Sequence, residues 1–260
     1  MEKRLTGRAA IVTGGASGIG KVAAQIFARE GASVIVSTDA NIKGGEETVS
    51  TIKSNGGEAA FVKCDVSKAV EVEAMVNECV KRYGRLDYAF NNAGIGPDVK
   101  RVPLAPIAEC PEEIWDRTID INLKGAFLCM KYEIQQMLKQ KYGVIVSTSS
   151  VGAIKPAQGF CAYNASKTGL IALTKTAAIE YAAQGIRVNV ILPGPTERTL
   201  LMEYLTGSQP GMEEHMKEMI PMQRLATPED MAEAVVWLCT DEASFITGHA
   251  MPIDGGMSIG

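Results

Sequence analysis

The chain has 260 residues, of which 46% are hydrophobic and 22% are charged, and its formal net charge is -4. This length is sufficient for one large α/β domain with a well-buried core. The weakly acidic balance, without a basic run, is unfavourable for binding nucleic acid or an anionic membrane surface, so we expect neither as a partner. We find no apolar stretch typical of a signal peptide and none long enough to cross a bilayer.

The cysteine and histidine content limits the compartment and the metal chemistry. The six cysteines are scattered and never form a Cys-x-x-Cys motif, so we interpret them as free thiols in a reducing cytoplasm. The two histidines, His215 and His249, are far apart in the sequence. We therefore expect no histidine-based metal site.

The first predicted strand, residues 8–13, leads into the glycine-rich turn 14–20 and then into a predicted helix over 21–30. The glycines Gly14, Gly18 and Gly20 have the spacing Gly-x-x-x-Gly-x-Gly. In a strand-turn-helix context such glycines let the backbone approach a pyrophosphate at the helix N-terminus, where free N–H groups favour an anion. The alternative is an ordinary βα turn without a ligand.

The second predicted strand, residues 32–38, is closed by Asp39. An acidic residue about 20 positions after the glycine turn can bond both ribose hydroxyls of an adenosine, and it repels a 2′-phosphate. Lys43 is the nearest cation after Asp39, and no arginine is placed to hold such a phosphate. We therefore expect NAD as the cofactor, with NADP less favoured. Alternatively, Asp39 caps the next predicted helix, residues 43–55.

The third predicted strand, residues 59–63, is followed by Asp65. Ligands of open α/β sheets bind at the carboxyl ends of the strands, so Asp65 could accept a hydrogen bond from an adenine amino group. Asp65 could equally be the N-cap of a predicted helix over 68–82. The fourth predicted strand, residues 86–90, ends in Asn91-Asn92-Ala93-Gly94, whose amides and glycine suit close contact with a cofactor.

The remaining elements continue the alternation of strands and helices. We predict a loop over 96–111, helices over 112–120 and 121–139 that join at Asn122, and a final helix over 228–239 capped by Thr227. The last three predicted strands are residues 143–147, 186–192 and 250–253. This order indicates an α/β fold with a doubly wound parallel sheet of about seven strands and helices on both faces.

Tyr163 and Lys167 are four positions apart in a segment with helical periodicity that continues through residues 168–183. This spacing places both side chains on one helix face. An ammonium near a phenol favours the phenolate, so Tyr163 could exchange a proton with an alcohol or a carbonyl oxygen. The alternative is an amphipathic helix with an exposed lysine.

Taken together, these motifs resemble the short-chain dehydrogenase/reductase family over nearly the whole chain. The residues that carry the resemblance are Thr13, Gly14, Gly18, Gly20, Asp65, Val66, Asn91, Asn92, Ala93, Gly94, Asn122, Ser150, Tyr163, Lys167, Pro193, Gly194, Asp254, Gly255 and Gly256. The resemblance implies one Rossmann-fold domain over 1–260. Residues 1–150 would be mainly the dinucleotide-binding half, and residues 151–260 would carry the catalytic helix and the substrate-binding part.

The resemblance also implies catalytic roles. Tyr163 would be the acid/base, and Lys167 would hold the nicotinamide ribose and lower the pKa of Tyr163. Ser150 would polarise the substrate oxygen, and Asn122 would kink its helix and hold a water that relays protons to Lys167. Beside Tyr163 and Lys167, the residues expected to contact the cofactor are Gly14, Ser17, Gly18, Ile19, Gly20, Asp39, Asp65, Val66, Asn91, Ala93, Gly94, Pro193, Gly194 and Thr196.

The expected activity is NAD(H)-dependent hydride transfer between a secondary alcohol and a ketone. The alternatives are an NAD-binding sensor or scaffold without turnover and an epimerase or dehydratase that retains its NAD. The sequence departs from the family pattern at Ser147, where asparagine is common. It also has Arg198 where threonine is common, with Thr199 one place later.

Three further expectations concern the substrate, Cys161 and assembly. A Met-rich segment within residues 196–222 predicts either a mobile lid over a small-molecule substrate of apolar character or a surface helical hairpin. Its residues are Met202, Tyr204, Leu205, Met212, Met216, Met219 and Met222.

Cys161 should lie near the site, and we interpret it as a small packing residue. The resemblance implies a homotetramer or homodimer, with Leu170, Leu173 and Trp237 as candidate interface residues.

Overall fold

The predicted apolar runs form the strands of one parallel sheet in the computed structural model, which describes residues 3–97, 103–208 and 211–260. Within these residues the sheet has seven strands in the order β3-β2-β1-β4-β5-β6-β7, and every neighbouring pair is parallel. The strands are β1 Ala9–Thr13, β2 Ser33–Thr38, β3 Glu58–Lys63, β4 Tyr88–Asn91, β5 Gly143–Thr148, β6 Ile186–Pro193 and β7 Ala250–Ile253. The doubly wound sheet expected from the sequence is confirmed.

The helices cover both faces of the sheet. They are α1 Gly18–Arg29, α2 Ile42–Ser54, α3 Ala69–Tyr83, α4 Glu112–Ile119, α5 Gly125–Gln140, α6 Cys161–Tyr181, α7 Leu200–Ser208, α8 Met212–Glu218 and α9 Pro228–Cys239. Helix α1 begins earlier than predicted, because Gly18 and Gly20 form its first turn.

Successive residues of the central strands pack into two apolar clusters, one on each face. In β1, Ala10 and Val12 join the cluster with α1 and α9, whereas Ala9 and Ile11 join the cluster with α3, α5 and α6. Every β1 residue is buried because helices cover both sides. The strands are therefore continuous apolar runs, and their carboxyl ends are left as the accessible edge.

The junction predicted at Asn122 is a turn of π-helix. Residues Asp120–Lys124 connect α4 to α5 in this conformation, and Asn122 is buried within it. A π-turn adds a residue to the helix and reorients the side chains beside it, and such turns are frequent at functional sites. In the predicted loop 96–111, residues 98–102 lie outside the described chain, and Ile107–Glu109 form a 3-10 turn.

Other local predictions are confirmed by capping interactions. The Thr227 hydroxyl accepts from the Asp230 N–H, and the Asp230 carboxylate accepts from the Thr227 N–H, which closes a capping box at α9.

In the part of the chain that the structure describes, no helix is both long and apolar enough to cross a bilayer.

Candidate active site

A cleft of about 1070 Å³ opens along the carboxyl ends of the strands. The strand order reverses between β1 and β4, and the crevice at such a reversal is where open α/β sheets bind ligands. The cleft runs from the glycine-rich turn and Asp39 to Ser150 and Tyr163, and then beneath α7 and α8. It therefore joins the elements that the sequence assigned to cofactor and to substrate.

The glycine-rich turn forms one end of the cleft in a backbone conformation that suits glycine. Gly14 and Gly18 have φ angles of 66° and 50°. At Gly20 a Cβ atom would collide with the backbone oxygen of Gly14, so the turn closes tightly against the start of α1. Ser17 is the N-cap of α1 but makes no side-chain cap. The first N–H groups of the helix are therefore available to an anion.

The two acidic candidates line the cleft, and neither caps a helix. Asp39 is exposed at the end of β2, and Asn41 caps α2 by accepting from the Gly44 N–H at 3.0 Å. Asp65 accepts hydrogen bonds from the N–H and the hydroxyl of Ser67, and α3 begins only at Ala69. The cap alternatives for Asp39 and Asp65 are therefore wrong.

Lys167 lies on the floor of the cleft, held by the backbone of β5. Its side chain is buried, and its Nζ donates to the carbonyl oxygen of Thr148 at 2.8 Å. The Ser149 hydroxyl donates to the backbone oxygen of Lys167 at 2.7 Å, which ties α6 to the same strand. Burial lowers the pKa of Lys167 to about 8. The alternative of an exposed lysine is therefore wrong.

Tyr163 is half-buried one helical turn before Lys167, and the Lys167 Nζ lies 5.6 Å from the centroid of its ring. Burial raises the pKa of Tyr163, and hydrogen bonding with the Ser150 side chain lowers it only in part. This direction is opposite to the one that we expected from the Lys167 ammonium. The reason is that the ammonium is directed to Thr148, whereas the phenol partner is Ser150.

Asn122 braces the wall of the cleft. Its amide oxygen accepts from the Ile95 N–H at 2.8 Å, and its Nδ2 donates to the Ile95 carbonyl at 2.8 Å and to the Ser166 hydroxyl at 3.2 Å. A Cβ atom on Gly94 would lie 3.1 Å from the Asn122 Oδ1 and 3.3 Å from the Lys167 Nζ. The π-turn thus holds Asn122 near Lys167, while the water relay stays a prediction.

Comparison with known proteins identifies this arrangement. The model of the family described as enoyl-(acyl carrier protein) reductase matches residues 14–258. An uncharacterized oxidoreductase of Thermotoga maritima is 44% identical, covering 96% of this chain and 97% of its own. The chain belongs to the short-chain dehydrogenase/reductase family. A 2,5-dichloro-2,5-cyclohexadiene-1,4-diol dehydrogenase of Sphingobium indicum is 38% identical, with 98% of each chain covered.

A solved structure agrees with the family assignment. The crystal structure of levodione reductase superposes with a TM-score of 0.91 at 33% identity, covering 98% of this chain and 99% of that one. The chain is thus a short-chain dehydrogenase/reductase that interconverts alcohol and carbonyl groups with a nicotinamide cofactor, NAD or NADP. The glycine turn, the free helix N-terminus and the acidic strand end fit such a cofactor.

Most of the site residues that we predicted from the family resemblance line the cleft. Those that do are Gly14, Ser17, Gly18, Ile19, Asp39, Asp65, Val66, Ala93, Gly94, Ser150, Tyr163, Lys167, Pro193, Gly194 and Thr196. Gly20 does not line it, because it packs within the turn. Asn91 and Asn122 instead line a separate cavity of about 10 Å³ below the floor, large enough for about one water.

Asn91 is directed away from the cleft towards a buried carboxyl group that sequence reasoning missed. Its Nδ2 donates to Glu133 Oε2 at 2.8 Å. Glu133 is fully buried on α5, and burial raises its pKa to about 8. In the described chain, Glu133 Oε1, Asn91 Oδ1 and the Ser147 hydroxyl have no partner. A signal was available, because Glu133 lies at helical spacing between the buried Met130 and Met137.

Thr13, which belongs to the motif of the glycine-rich turn, and Thr148, to which the sequence analysis gave no role, join the ends of three strands at the floor of the cleft. The Thr13 hydroxyl accepts from the N–H groups of Asn92 and Ala93 at 3.0 and 3.1 Å. The Thr148 hydroxyl donates to the Asn92 amide oxygen at 3.1 Å. These bonds hold the ends of β1, β4 and β5 together, and therefore fix the distance between the glycine turn and Lys167.

The segment after β6 bends over the glycine turn. Arg198 has a φ of 55° and pairs with Glu229 at the start of α9. The Thr199 hydroxyl donates to the Thr196 carbonyl at 2.8 Å, and a Cβ on Gly18 would lie 3.4 Å from Thr199. Thr199, rather than Arg198, therefore lies over the cleft at this point.

Helices α7 and α8, with Met219 just after them, cover the end of the cleft beyond Ser150 and Tyr163, where we expect the substrate. The cleft-lining side chains of this cover are Leu200, Leu201, Met202, Leu205, Met212, His215, Met216 and Met219. Met222 is 63% exposed and does not line the cleft, and neither does Tyr204. The predicted segment 196–222 includes residues 209 and 210, which lie outside the described chain.

Proposed function

We propose that this short-chain dehydrogenase/reductase prefers NAD and acts on a secondary alcohol, or the corresponding ketone, of largely apolar character. The arrangement of Ser150 and Tyr163 carries the proposal. Both side chains line the cleft between the expected cofactor end and the apolar cover, and hydrogen bonding with the Ser150 side chain partly offsets the rise in the pKa of the Tyr163 phenol that burial causes. Two neighbouring hydroxyl groups can both hydrogen-bond to one substrate oxygen, which is a hydroxyl group in the alcohol and a carbonyl oxygen in the ketone.

The nicotinamide cofactor supplies the acceptor for the hydride that leaves the alcohol carbon. Tyr163 takes the hydroxyl proton in oxidation and returns it to the carbonyl oxygen in reduction. Ser150 holds that oxygen by a hydrogen bond and stabilises the charge that develops on it. The Lys167 ammonium, fixed by Thr148, would hold the nicotinamide ribose, and its Nζ lies 5.6 Å from the centroid of the Tyr163 ring.

The preference for NAD rests on Asp39. Its exposed carboxylate lines the cleft where the adenosine ribose is expected, and within the described residues it makes no ion pair. A free carboxylate can accept from both ribose hydroxyls, and it would repel a 2′-phosphate. The glycine-rich turn and the N-terminus of α1 hold the pyrophosphate.

The apolar character of the substrate rests on the cover. Leucine and methionine side chains dominate its inner surface, and unbranched methionines adapt to different ligand shapes. His215 is the titratable side chain of the cover that lines the cleft. A hydrophobic ring or chain with one secondary alcohol fits this lining better than a free sugar. The ring alcohol named for the Sphingobium relative supports the same choice.

We also propose a homodimer or homotetramer in a reducing, cytoplasmic compartment. All six cysteines are free. Leu170 is buried in the apolar cluster on one face of the sheet, so it is wrong as an interface candidate. Leu173 packs against that same cluster, and Trp237 packs against the cluster on the other face. Ile179 on α6 and Phe127 on α5, which are 84% and 46% exposed, replace it as apolar side chains available to a second copy.

The function is tested by measuring NADH and NADPH formation with a panel of alcohols, wild type beside Tyr163→Phe. The panel contains cyclohexanol, a steroid alcohol, a sugar and a hydroxyacyl thioester, and an enoyl thioester is tested with NADH. We expect NAD-dependent oxidation of an apolar secondary alcohol, reduced about 10²- to 10⁴-fold in Tyr163→Phe because the proton acceptor is lost. Retained activity in the variant would exclude the role of Tyr163.

The remaining outcomes separate the alternatives. Tight NADH binding without turnover of any alcohol would favour a sensor or scaffold. Conversion of substrate without net NADH would favour an epimerase or dehydratase. Reduction of the enoyl thioester alone would contradict the alcohol substrate class.

Asp39→Ala tests the cofactor choice separately. We expect the ratio of kcat/KM for NAD over NADP to fall about tenfold or more, because a charged hydrogen-bond acceptor is removed. Asp65→Ala is the matched control, since it removes a carboxylate from the same cleft without facing the ribose position. An unchanged ratio in Asp39→Ala would contradict the assignment.

A further inference from the structure

The turn after β7, residues 254–260, brings an apolar side chain to the cleft from outside the cover. Met257 is half-buried and lines the cleft. It packs against the small apolar cluster of Met202, Ile220 and Leu225, of which Met202 belongs to α7. Met257 therefore continues the apolar lining of the cover from a different part of the chain.

Local contacts fix the start of this turn. The Asp254 carboxylate accepts from the N–H groups of Gly256 and Ser258 at 3.0 and 2.9 Å. A Cβ atom on Gly255 would lie 2.7 Å from the Ile220 side chain, so the turn packs closely on the apolar cluster. The position of the later residues of the turn depends on a further contact.

Lys155 supplies that contact and joins the turn to the segment that carries Ser150. Its Nζ donates to the backbone carbonyl oxygens of Met257 and Gly260 at 2.8 and 2.9 Å. Its N–H donates to the carbonyl of Val151, the residue after Ser150, at 2.9 Å, and its side chain lines the cleft. One ammonium therefore bridges two carbonyls of the turn and couples their position to that of Ser150.

The bridge is in contact with water, because Lys155 and Gly260 are both exposed. Hydrogen bonds at such positions compete with bonds to water and contribute little to the stability of the fold. We therefore expect removal of the bridge to move the turn without unfolding the protein.

We propose that Met257 is a specificity-determining residue for the part of the substrate furthest from the reacting oxygen, and that Lys155 is a positioning residue that holds Met257 in the cleft. The inference rests on the proposed function, since it names the part of an apolar secondary alcohol that Met257 recognises. A ring alcohol held by Ser150 and Tyr163 has its reacting carbon at these hydroxyl groups. An apolar substituent on the opposite side of the ring extends towards Met257, and its burial there favours the larger alcohol.

The first test measures the bridge without activity, by hydrogen exchange and mass spectrometry of the full chain. Lys155→Met removes the ammonium and keeps a long apolar side chain, whereas Lys155→Arg keeps donors for the same carbonyls. The N–H groups of Met257 and Ser258 report the turn, because their bonds to Asp254 protect them. We expect the peptide that contains them to exchange several-fold faster in Lys155→Met, at nearly unchanged Tm, and at the wild-type rate in Lys155→Arg.

Lys175→Met is the matched control for the exchange test. Lys175 is an exposed lysine on α6 that does not line the cleft, so its replacement should leave the exchange of the turn unchanged. Equal exchange of the turn in wild type and Lys155→Met would overturn the positioning role of Lys155.

The second test measures recognition by binding, with cyclohexanol and 4-tert-butylcyclohexanol. Both carry one secondary alcohol, and they differ only in the apolar group opposite to it. Their Kd values are measured for the complex of the protein with NADH, in which the alcohol cannot be oxidised, by the change in NADH fluorescence. We expect Met257→Ala to weaken binding of the tert-butyl alcohol about 5- to 10-fold and of cyclohexanol less than about twofold. Lys155→Met should weaken binding of the tert-butyl alcohol about 2- to 5-fold.

A double variant tests whether Lys155 acts through Met257. Lys155→Met combined with Met257→Ala should then weaken the tert-butyl alcohol no more than Met257→Ala alone. A further loss in the double variant, or equal losses for both alcohols in Met257→Ala, would contradict the proposal. Absence of binding by both alcohols would exclude the role of Met257, while the exchange test still decides that of Lys155. Failure of the proposed function is a separate result, namely no NADH or NADPH formation from any alcohol in the wild type.

Discussion

The floor and the cover of the cleft are built from different interactions. Lys167 on the floor and Asn122 in the adjoining wall are held by hydrogen bonds of 2.8 Å to backbone groups, Lys167 to the Thr148 carbonyl and Asn122 to the N–H and carbonyl of Ile95. The cover, α7 and α8, presents mainly leucine and methionine to the cleft and packs through a small apolar cluster of Met202, Ile220 and Leu225. Directional hydrogen bonds thus fix the residues at the bottom of the cleft, whereas non-directional apolar contacts hold the cover.

This difference indicates how the two regions divide their tasks. Proton transfer depends on distance and angle, so the groups that perform it are best held by short, directional bonds to a rigid sheet edge. Substrate shape varies among relatives, and flexible apolar side chains accommodate such variation without leaving polar groups unpaired. We therefore expect floor substitutions to change kcat and cover substitutions to change KM.

The largest effect is expected for Lys167→Met, which keeps the length of the side chain and removes its charge. Turnover should fall about 10²- to 10⁴-fold, because the positive charge beneath Tyr163 is lost. The Tm at pH 7 should not fall below that of the wild type, since the ammonium is buried and its desolvation opposes folding. Steady-state kinetics and thermal unfolding check both statements.

The pH dependence of stability sharpens this test. Above pH 8 the native Lys167 loses its proton, whereas an unfolded lysine keeps it to about pH 10.4. The unfolded state then binds more protons, so wild-type stability gains from rising pH in this window, and Lys167→Met lacks the gain. The amount by which the Tm of Lys167→Met exceeds the Tm of the wild type should therefore become smaller above pH 8. A Tm deficit in the variant at pH 7 would show instead that the bond to Thr148 dominates.

A smaller effect is expected from the cover. Met216→Ala removes a half-buried side chain that lines the cleft, and should raise KM for an apolar substrate about 5- to 10-fold while kcat changes less than about twofold. Met222→Ala is the matched control, because Met222 is exposed and lies outside the cleft. A fall in kcat as large as the rise in KM would mean that the cover also positions the floor.

Much of the floor could be predicted from sequence because its residues are adjacent in the chain or lie at strand ends. Four positions along a helix bring Tyr163 and Lys167 to one face. A strand followed by an acidic residue places Asp39 at the carboxyl edge of the sheet. Two helical patterns that meet at Asn122 likewise indicated a junction there, although its π-helical conformation was seen only in the structure. Each inference needed only local geometry and the parallel order of the strands.

The rest depends on packing between elements distant in sequence. Leu170 belongs to the same helix as Tyr163, but whether it faces the core or a partner depends on how α6 rotates against β6. Met222 belongs to a Met-rich segment, yet the chain turns after Ile220 and leaves Met222 in solvent. The pKa of Lys167 falls because the side chain is buried, and the spacing of residues in the sequence does not show how deeply a side chain is buried.

The smallest effect, and the last test of the floor, concerns Glu133. Burial raises its pKa to about 8, so the native state keeps a proton that an unfolded glutamate releases near pH 4.3. Between these pH values the native state binds more protons than the unfolded state, and stability falls as pH rises. Glu133→Gln removes this titration, keeps an acceptor for Asn91, and adds N–H donors near the unpartnered oxygens of Asn91 and Ser147.

We therefore expect the Tm of Glu133→Gln, relative to wild type, to increase by several degrees between pH 5 and pH 8 in thermal unfolding scans. Glu203→Gln on α7 is the control, because water solvates that exposed carboxylate in both the folded and the unfolded chain. A constant difference across the range for Glu133→Gln would mean that Glu133 is ionised in the native protein. The unpartnered oxygens of Asn91 and Glu133 would then need another hydrogen-bond donor. A water molecule in the small cavity beside Asn91 could be that donor.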